Sequence, residues 1–356
     1  MKTAILNVAD TGPLDSLVEM LQSVGYRCLL PDAGLRDALK RQGCNMVLDP
    51  RSLQRNEGYD PPHFQLGEAT VADTETCDLL VCVKAHQNYA KIVSSWPDLR
   101  GRILWYRING GRPEHVVNAR GDHGDEVRPP CSILTPNQWY ASGDYRNNVD
   151  RDHSYVCWPP FVTAGDYDYP RVNTEGKRQH QGYTNPLCLV HNLRGWGYGE
   201  PLAGVVEEFG IRCHGVGSPH GLIQHREVRV KLAEALAYVH LKSSDAPGYS
   251  LYEALASACP VVCTRRLIWK NRMEDLLIPG ETCYVFDRPT HDPICAEELA
   301  EIRVELRAAL KALSSSQENR RVGENGRRKL RELMWSKDKA EDVESLKSFF
   351  ARNFPP

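Results

Sequence analysis

The chain has 356 residues, 41% hydrophobic and 25% charged, with a formal net charge of −2. That balance suits a globular protein of two domains and argues against a generally basic nucleic-acid binder, leaving room for a local basic face. No apolar run approaches the length of a membrane span and the N-terminus lacks the pattern of a signal peptide, so a cytoplasmic location is expected.

Thr3 to Val8 reads as a strand, broken by Asp10-Thr11-Gly12-Pro13, and Leu14, Leu17, Val18 and Leu21 continue at helical spacing. Arg27 to Leu30 is a second strand, Leu35 to Arg41 a short helix, and Asn45 to Leu48 a third strand. Cys77 to Val83 is a strand ending at Lys84-Ala85-His86, and Arg102 to Ile108 one ending at Asn109-Gly110-Gly111; Ser132 to Leu134 and Tyr155 to Trp158 are shorter. Residues 163 to 185 are polar and aperiodic, as an interdomain linker would be.

A buried strand, Leu187 to His191, opens the second half and runs into the glycine-rich loop Asn192 to Gly199. Leu202 to Phe209 is helical, and Ile211 to Gly215 and Ala237 to Leu241 are strands. Leu251 to Ala258 is a helix and Pro260 to Cys263 another buried strand. From Glu297 the chain is helical and charged, ending in an amphipathic segment with Trp335, Leu346, Phe349 and Phe350. Strands alternating with helices imply doubly wound parallel sheets. The 12 cysteines include no Cys-x-x-Cys pair, and Cys82, Cys188 and Cys263 sit in apolar runs, which suits reduced core thiols rather than disulfides or zinc.

The chemistry concentrates between the strand Ala237–Leu241 and the helix that follows. Asp245 and Glu253 stand eight residues apart across Gly248, in a loop at the carboxyl end of a strand, where α/β sheets bind ligands. Gly248 allows close backbone approach to a ligand. The amides around Gly248, Tyr249, Ser250 and Leu251 open the helix without helical partners and suit a diphosphate. Glu253, one turn in, can accept hydrogen bonds from two adjacent hydroxyls, as on a ribose, and Asp245 can do the same for another polyol. The plainer alternative is a polar loop with a solvated Asp and a helix-capping Glu.

These residues resemble the signature of the retaining GT-B glycosyltransferases of family four: an acidic residue, seven residues, Glu-Ala, a small-residue stretch and Pro-Val-Val. Here it reads Asp245, then Glu253-Ala254-Leu255-Ala256, then Cys259-Pro260-Val261-Val262, with Asp245 for the usual Glu and Ala258 for a usual Gly. Ile278-Pro279-Gly280-Glu281-Thr282 is similar to the family's next turn, and the match covers roughly residues 228 to 290.

The resemblance implies two doubly wound, Rossmann-like α/β domains facing a cleft. Residues 1–165 form the acceptor-side domain, 166–185 the linker and 186–334 the nucleotide-sugar-binding domain; 335–356 form a helix crossing back to the first domain. It implies transfer from a nucleotide-diphosphate sugar to a hydroxyl acceptor, with retention and no metal. Asp245 and His86 would face the transferred sugar, and Arg194 would pair with the donor phosphates. The Lys expected a few residues after Arg194 is absent, leaving Lys242, Arg265 or Arg266 as the second phosphate contact.

Asp166-Tyr167-Asp168 spells a metal-binding motif of the other large glycosyltransferase fold, but it lies in the linker stretch. The Lys- and Arg-rich segment from Arg303 to Lys339 also carries Glu305, Glu318, Glu324 and Glu332 and reads as a solvated, compensated helical face, the alternative being contact with an anionic acceptor. Departures from typical members include the compact first domain, the missing Lys and the Trp- and Tyr-containing glycine loop. They bring a second acceptor into view, hydroxymethylated pyrimidine in DNA, as used by phage enzymes. An epimerase of the same fold and a non-catalytic nucleotide-sugar binder are further alternatives.

Overall fold

A computed structural model describes residues 1–8, 14–42, 66–83, 89–106, 132–135, 154–156, 184–189, 199–215, 218–223, 225–241, 249–287 and 295–355. The chain divides into two compact units. Met1–Asn56, Asp60–Phe161 and Met334–Pro356 make the first, and Glu57–Tyr59 with Val162–Leu333 the second.

The first unit is built on β1 (Lys2–Val8), β2 (Tyr26–Pro31), β3 (Gly67–Ala69), β4 (Leu79–Val83), β5 (Ile103–Tyr106), β6 (Ser132–Thr135) and β7 (Ser154–Val156). They pair in the order β3-β2-β1-β4-β5-β6-β7, all in parallel. Ala4, Ile5 and Leu6 of β1 are all buried, the continuous apolar run of a strand covered on both faces. Between the strands run α1 (Leu14–Ser23), α2 (Ala33–Arg41), α3 (Asp73–Thr76) and α4 (Tyr89–Ser95). Asp32 caps α2 by accepting a 2.7 Å hydrogen bond from the Leu35 amide, and Leu35, Ala38 and Leu39 bury one face of it.

The strand expected at 45–48 lies outside the described residues. The place beside β2 belongs to Gly67–Ala69, in register through Leu29 with Gly67 and Pro31 with Ala69. Three residues containing Gly and Glu carry no apolar pattern, so edge pairing rather than periodicity makes this strand.

The second unit has β8 (Leu187–Leu189), α5 (Gly199–Glu208), β9 (Arg212–His214), α6 (His225–Glu234), β10 (Tyr238–His240) and α7 (Tyr249–Ala256). They are followed by β11 (Val261–Thr264), α8 (Arg265–Asn271), β12 (Cys283–Phe286), α9 (Ala296–Leu313) and α10 (Ser316–Leu333). The strands pair in the order β12-β11-β10-β8-β9, again in parallel. Ala237, Val239, Leu241, Val262 and Phe286 share one core with Val205 and Val206 of α5 and Ile302, Leu306 and Ala309 of α9. Because strand side chains alternate, Tyr238 and His240 take the opposite face. Thr184 already belongs to this unit: its amide donates to the Glu234 carbonyl at 2.8 Å and it bridges to Ala235.

The last helix, α11 (Ala340–Asn353), belongs to the first unit. Phe349 meets Tyr155 of β7 at 5.5 Å between ring centroids and Phe350 meets Tyr26 of β2 at 5.3 Å. Just before it, Lys337 pairs at 2.6 Å with Glu19 of α1. Among the described residues nine cysteines are free, eight of them buried, Cys295 being exposed, and no helix is long and apolar enough to cross a membrane.

Candidate functional site

Counted from its own first strand, the second unit has the strand order 2-1-3-4-5. The winding reverses between β8 and β10, and in such sheets ligands bind beyond the carboxyl ends at that point. β8 ends at Leu189 and β10 at His240, so the sequence loops carrying Arg194 and carrying Lys242, Asp245 and Gly248 leave from the two strands that flank the switch point. In the first unit the corresponding strands are β1 and β4, and His86 follows β4 in sequence. His86, Arg194, Lys242, Asp245 and Gly248 all lie outside the described residues, as does Asp166-Tyr167-Asp168.

The described part of the site is α7. Tyr249 and Ser250 at its start are half-buried, and Leu251, Tyr252, Glu253, Ala254 and Leu255 are buried. Two acidic side chains are buried among the described residues: Glu19, which has the Lys337 ammonium beside it, and Glu253, 9% exposed. Burying a carboxylate is costly unless its oxygens are met by donors, and Glu253 places one a turn into the helix that starts at the switch point.

Helix α7 ends sharply. The Cys259 amide donates to the Ala254 carbonyl at 2.9 Å and the Ala258 amide to Leu255 at 3.0 Å, a Schellman closure that puts Ala258 in the left-handed region at φ +53°. Glycine is the usual residue there; Ala258 is held in that conformation, buried against α10.

Residues not singled out from sequence complete the arrangement. The Tyr238 hydroxyl lies 2.8 Å from Ser250 Oγ, 3.0 Å from His240 Nδ1 and 3.4 Å from the Leu189 carbonyl oxygen. One buried phenol thus touches the ends of β8 and β10 and the first turn of α7. The available signal was two polar-tipped residues, Tyr238 and His240, on one face of the otherwise apolar run Ala237–Leu241.

Beyond β11, Thr264 caps α8 through a 3.1 Å bond from the Leu267 amide. Arg265 pairs with Asp287 at 2.8 Å, which engages one of the two arginines considered for a phosphate; Arg266 is half-buried. The Gly-Glu-Thr turn is a structural clasp: Thr282 Oγ1 accepts from the Ile278 amide at 2.7 Å and donates to the Leu276 carbonyl at 2.8 Å. Gly280 sits at φ +79°, and its carbonyl accepts from Arg321 of α10 at 2.8 Å.

The basic segment is compensated partly by Glu208 of α5 and partly by its own acids. Glu208 takes Arg303 at 2.6 Å and Arg307 at 2.7 Å, while Arg321 meets Glu318, Arg327 meets Glu324 and Lys329 meets Glu332. Arg321 and the Tyr284 hydroxyl hold the Glu318 carboxyl down at about 2. Among the described residues no group of three or more His, Cys, Asp or Glu is placed to hold a metal ion.

No protein-family model and no curated protein sequence matches the chain. Solved structures do. HepE of Anabaena, in complex with UDP and glucose, superposes with a TM-score of 0.60 at 12% identity over 99% of this chain and 98% of that one. Sucrose-phosphate synthase of Thermosynechococcus elongatus superposes with a TM-score of 0.58 at 12% identity over 99% of both chains. An α-glucosyltransferase in complex with UDP-glucose and DNA containing an abasic site gives 0.59 at 9% identity over 97% of this chain and 98% of that one. The fold is GT-B. At these identities the likeness is one of fold, and the GT-B scaffold leaves the chemistry to be argued from the switch point of its second unit.

Proposed function

We propose that the chain is a glycosyltransferase that moves a sugar from a nucleotide-diphosphate sugar to a hydroxyl acceptor with retention of configuration. The observation that carries this reading is Glu253, a buried carboxylate one turn into the helix that opens at the β8–β10 switch point. Two fold neighbours support it: HepE, seen with UDP and glucose and with UDP-glucose, and the α-glucosyltransferase seen with UDP-glucose.

In this reading Glu253 accepts hydrogen bonds from the ribose hydroxyls. The amides of residues 248–251 and the Arg194 guanidinium take the diphosphate, with Lys242 beside them. Asp245 orients the hydroxyls of the transferred sugar, and His86 is the second residue assigned to that sugar. The reaction is a front-face displacement. The bond between the anomeric carbon and the phosphate oxygen breaks with its electron pair going to the phosphate. The acceptor oxygen bonds to the same face, and its proton passes to the departing phosphate oxygen. Helix amides and cationic side chains neutralise that phosphate.

The test is a thermal-shift screen against nucleotide-diphosphate sugars, followed by Glu253→Ala. A donor should raise the melting temperature by linkage, and Glu253→Ala should lose most of the shift. No shift with any donor, with or without magnesium, would refute a donor site. An inverted anomeric product would refute the front-face reaction.

The acceptor has a second reading, because one fold neighbour of similar score is seen with DNA. A DNA acceptor would be a hydroxymethylated pyrimidine flipped out of the duplex. Binding that falls steeply with salt would support it, and no retention on such DNA at low salt would end it.

A further inference from the structure

Tyr238 is not among the residues proposed to touch the donor, yet its hydroxyl joins the three elements that meet at the switch point. The side chain is fully buried, and a phenylalanine would fill that volume without burying a hydroxyl, so the oxygen calls for a reason of its own. A phenol has one proton and two lone pairs. The Leu189 carbonyl only accepts, so the arrangement that uses these three contacts has Tyr238 donating to it at 3.4 Å and accepting from Ser250 Oγ at 2.8 Å and from His240 Nδ1 at 3.0 Å. Ser250 is the second residue of α7, within the turn whose amides have no helical partners. A helix start held by little but its own backbone frays first; here a buried phenol holds it.

We propose that Tyr238 is a positioning residue for the nucleotide-diphosphate site. Acting through Ser250, it fixes the first turn of α7 against the ends of β8 and β10. The amides of residues 249–251 and the Glu253 carboxylate are thereby set in place before the donor arrives, which lowers the ordering cost of binding. The inference rests on the donor reading above.

The experiment compares wild type with Tyr238→Phe, Ser250→Ala and Ser250→Thr in two assays on the intact chain: amide hydrogen exchange without ligand, and calorimetric titration with UDP. Tyr238→Phe and Ser250→Ala should each speed exchange at residues 249–253 while amides of β10 and β11 stay protected. Each should weaken UDP binding about five- to ten-fold, the size of one net hydrogen bond. Ser250→Thr, which keeps the hydroxyl, should restore both, a rescue that a simple packing role would not give. If Tyr238→Phe does not fold, the two Ser250 variants carry the test. Wild-type exchange rates or wild-type UDP affinity in the hydroxyl-less variants would overturn the proposal. If wild type itself does not bind UDP or any other nucleoside diphosphate, the donor reading fails. The tether is still decided by exchange, faster rates at 249–253 upholding it and unchanged rates refuting it.

Discussion

Gly323 of α10 lies directly against the carbonyl of Ala258, so closely that a Cβ on Gly323 would overlap that oxygen. Three residues on, a Cβ at Gly326 would stand 2.8 Å from Leu255 Cδ2 and 3.3 Å from the Thr282 carbonyl. Helix α10 therefore rests on the end of α7 opposite the candidate site, and it can approach only because two of its residues have no side chain. The same helix clamps the Gly-Glu-Thr turn through Arg321. The position of α7 is fixed at one end by glycines and at the other by Tyr238.

Gly323→Ala should destabilise the protein by about 2–3 kcal/mol despite raising helix propensity, because a backbone carbonyl cannot rotate away as a side chain can. Urea denaturation measures it. A variant as stable as wild type would show that α10 does not pack as described. Gly326→Ala should cost less, since the tighter of its two neighbours is the end of a leucine side chain.

Thr282→Val keeps the shape but removes the acceptor for the half-buried Ile278 amide and the donor to the buried Leu276 carbonyl. A loss of about 2–3 kcal/mol is expected, the sum for two backbone groups left unmet. Thr282→Ser should recover most of it in the same melt.

The Tyr26 hydroxyl is buried without a hydrogen-bond partner, and burial together with the Asp78 charge pushes its ionisation up to about 12. The folded state then keeps a proton that the unfolded state releases from about pH 10. The stability associated with this proton is complete below pH 10 and declines between pH 10 and about 12. Tyr26→Phe should leave stability at pH 7 equal or raise it by about 1 kcal/mol, and should flatten that part of the alkaline decline. Thermal melts across pH 8–11 would reveal a wrong assignment as parallel curves for the two proteins.

Phe349 is buried between Tyr155, Phe350 and Phe354. Phe349→Ala should cost about 3–5 kcal/mol and release the C-terminal helix, seen as new proteolytic cleavage after residue 333. Cleavage unchanged from wild type would mean that the helix is held by other contacts.

Much of this was legible locally. The apolar runs at Thr3–Val8, Cys77–Val83 and Pro260–Cys263 became β1, β4 and β11 within a residue or two, because a strand covered on both faces leaves an uninterrupted apolar segment. The Glu-Ala run after Gly248 became α7, and Arg321, Arg327 and Lys329 paired with acids of their own segment, while Arg303 and Arg307 paired with Glu208 of α5. The strand Gly67–Ala69 was not legible, nor were the short β12 and the helix α6, since a few residues at a sheet edge or with mixed polarity carry no period.

The longer apolar strands and the helix that carries Glu253 after Gly248 follow from the sequence alone, since spacing and propensity are properties of neighbouring residues. Which strands lie side by side does not. The reversal between β8 and β10, which makes their loops the candidate site, depends on pairings between segments about fifty residues apart that only the folded sheet decides. The same holds for the roles of Tyr238 and Gly323. Each acquires its role from an atom distant in the chain, a serine hydroxyl in one case and an alanine carbonyl in the other.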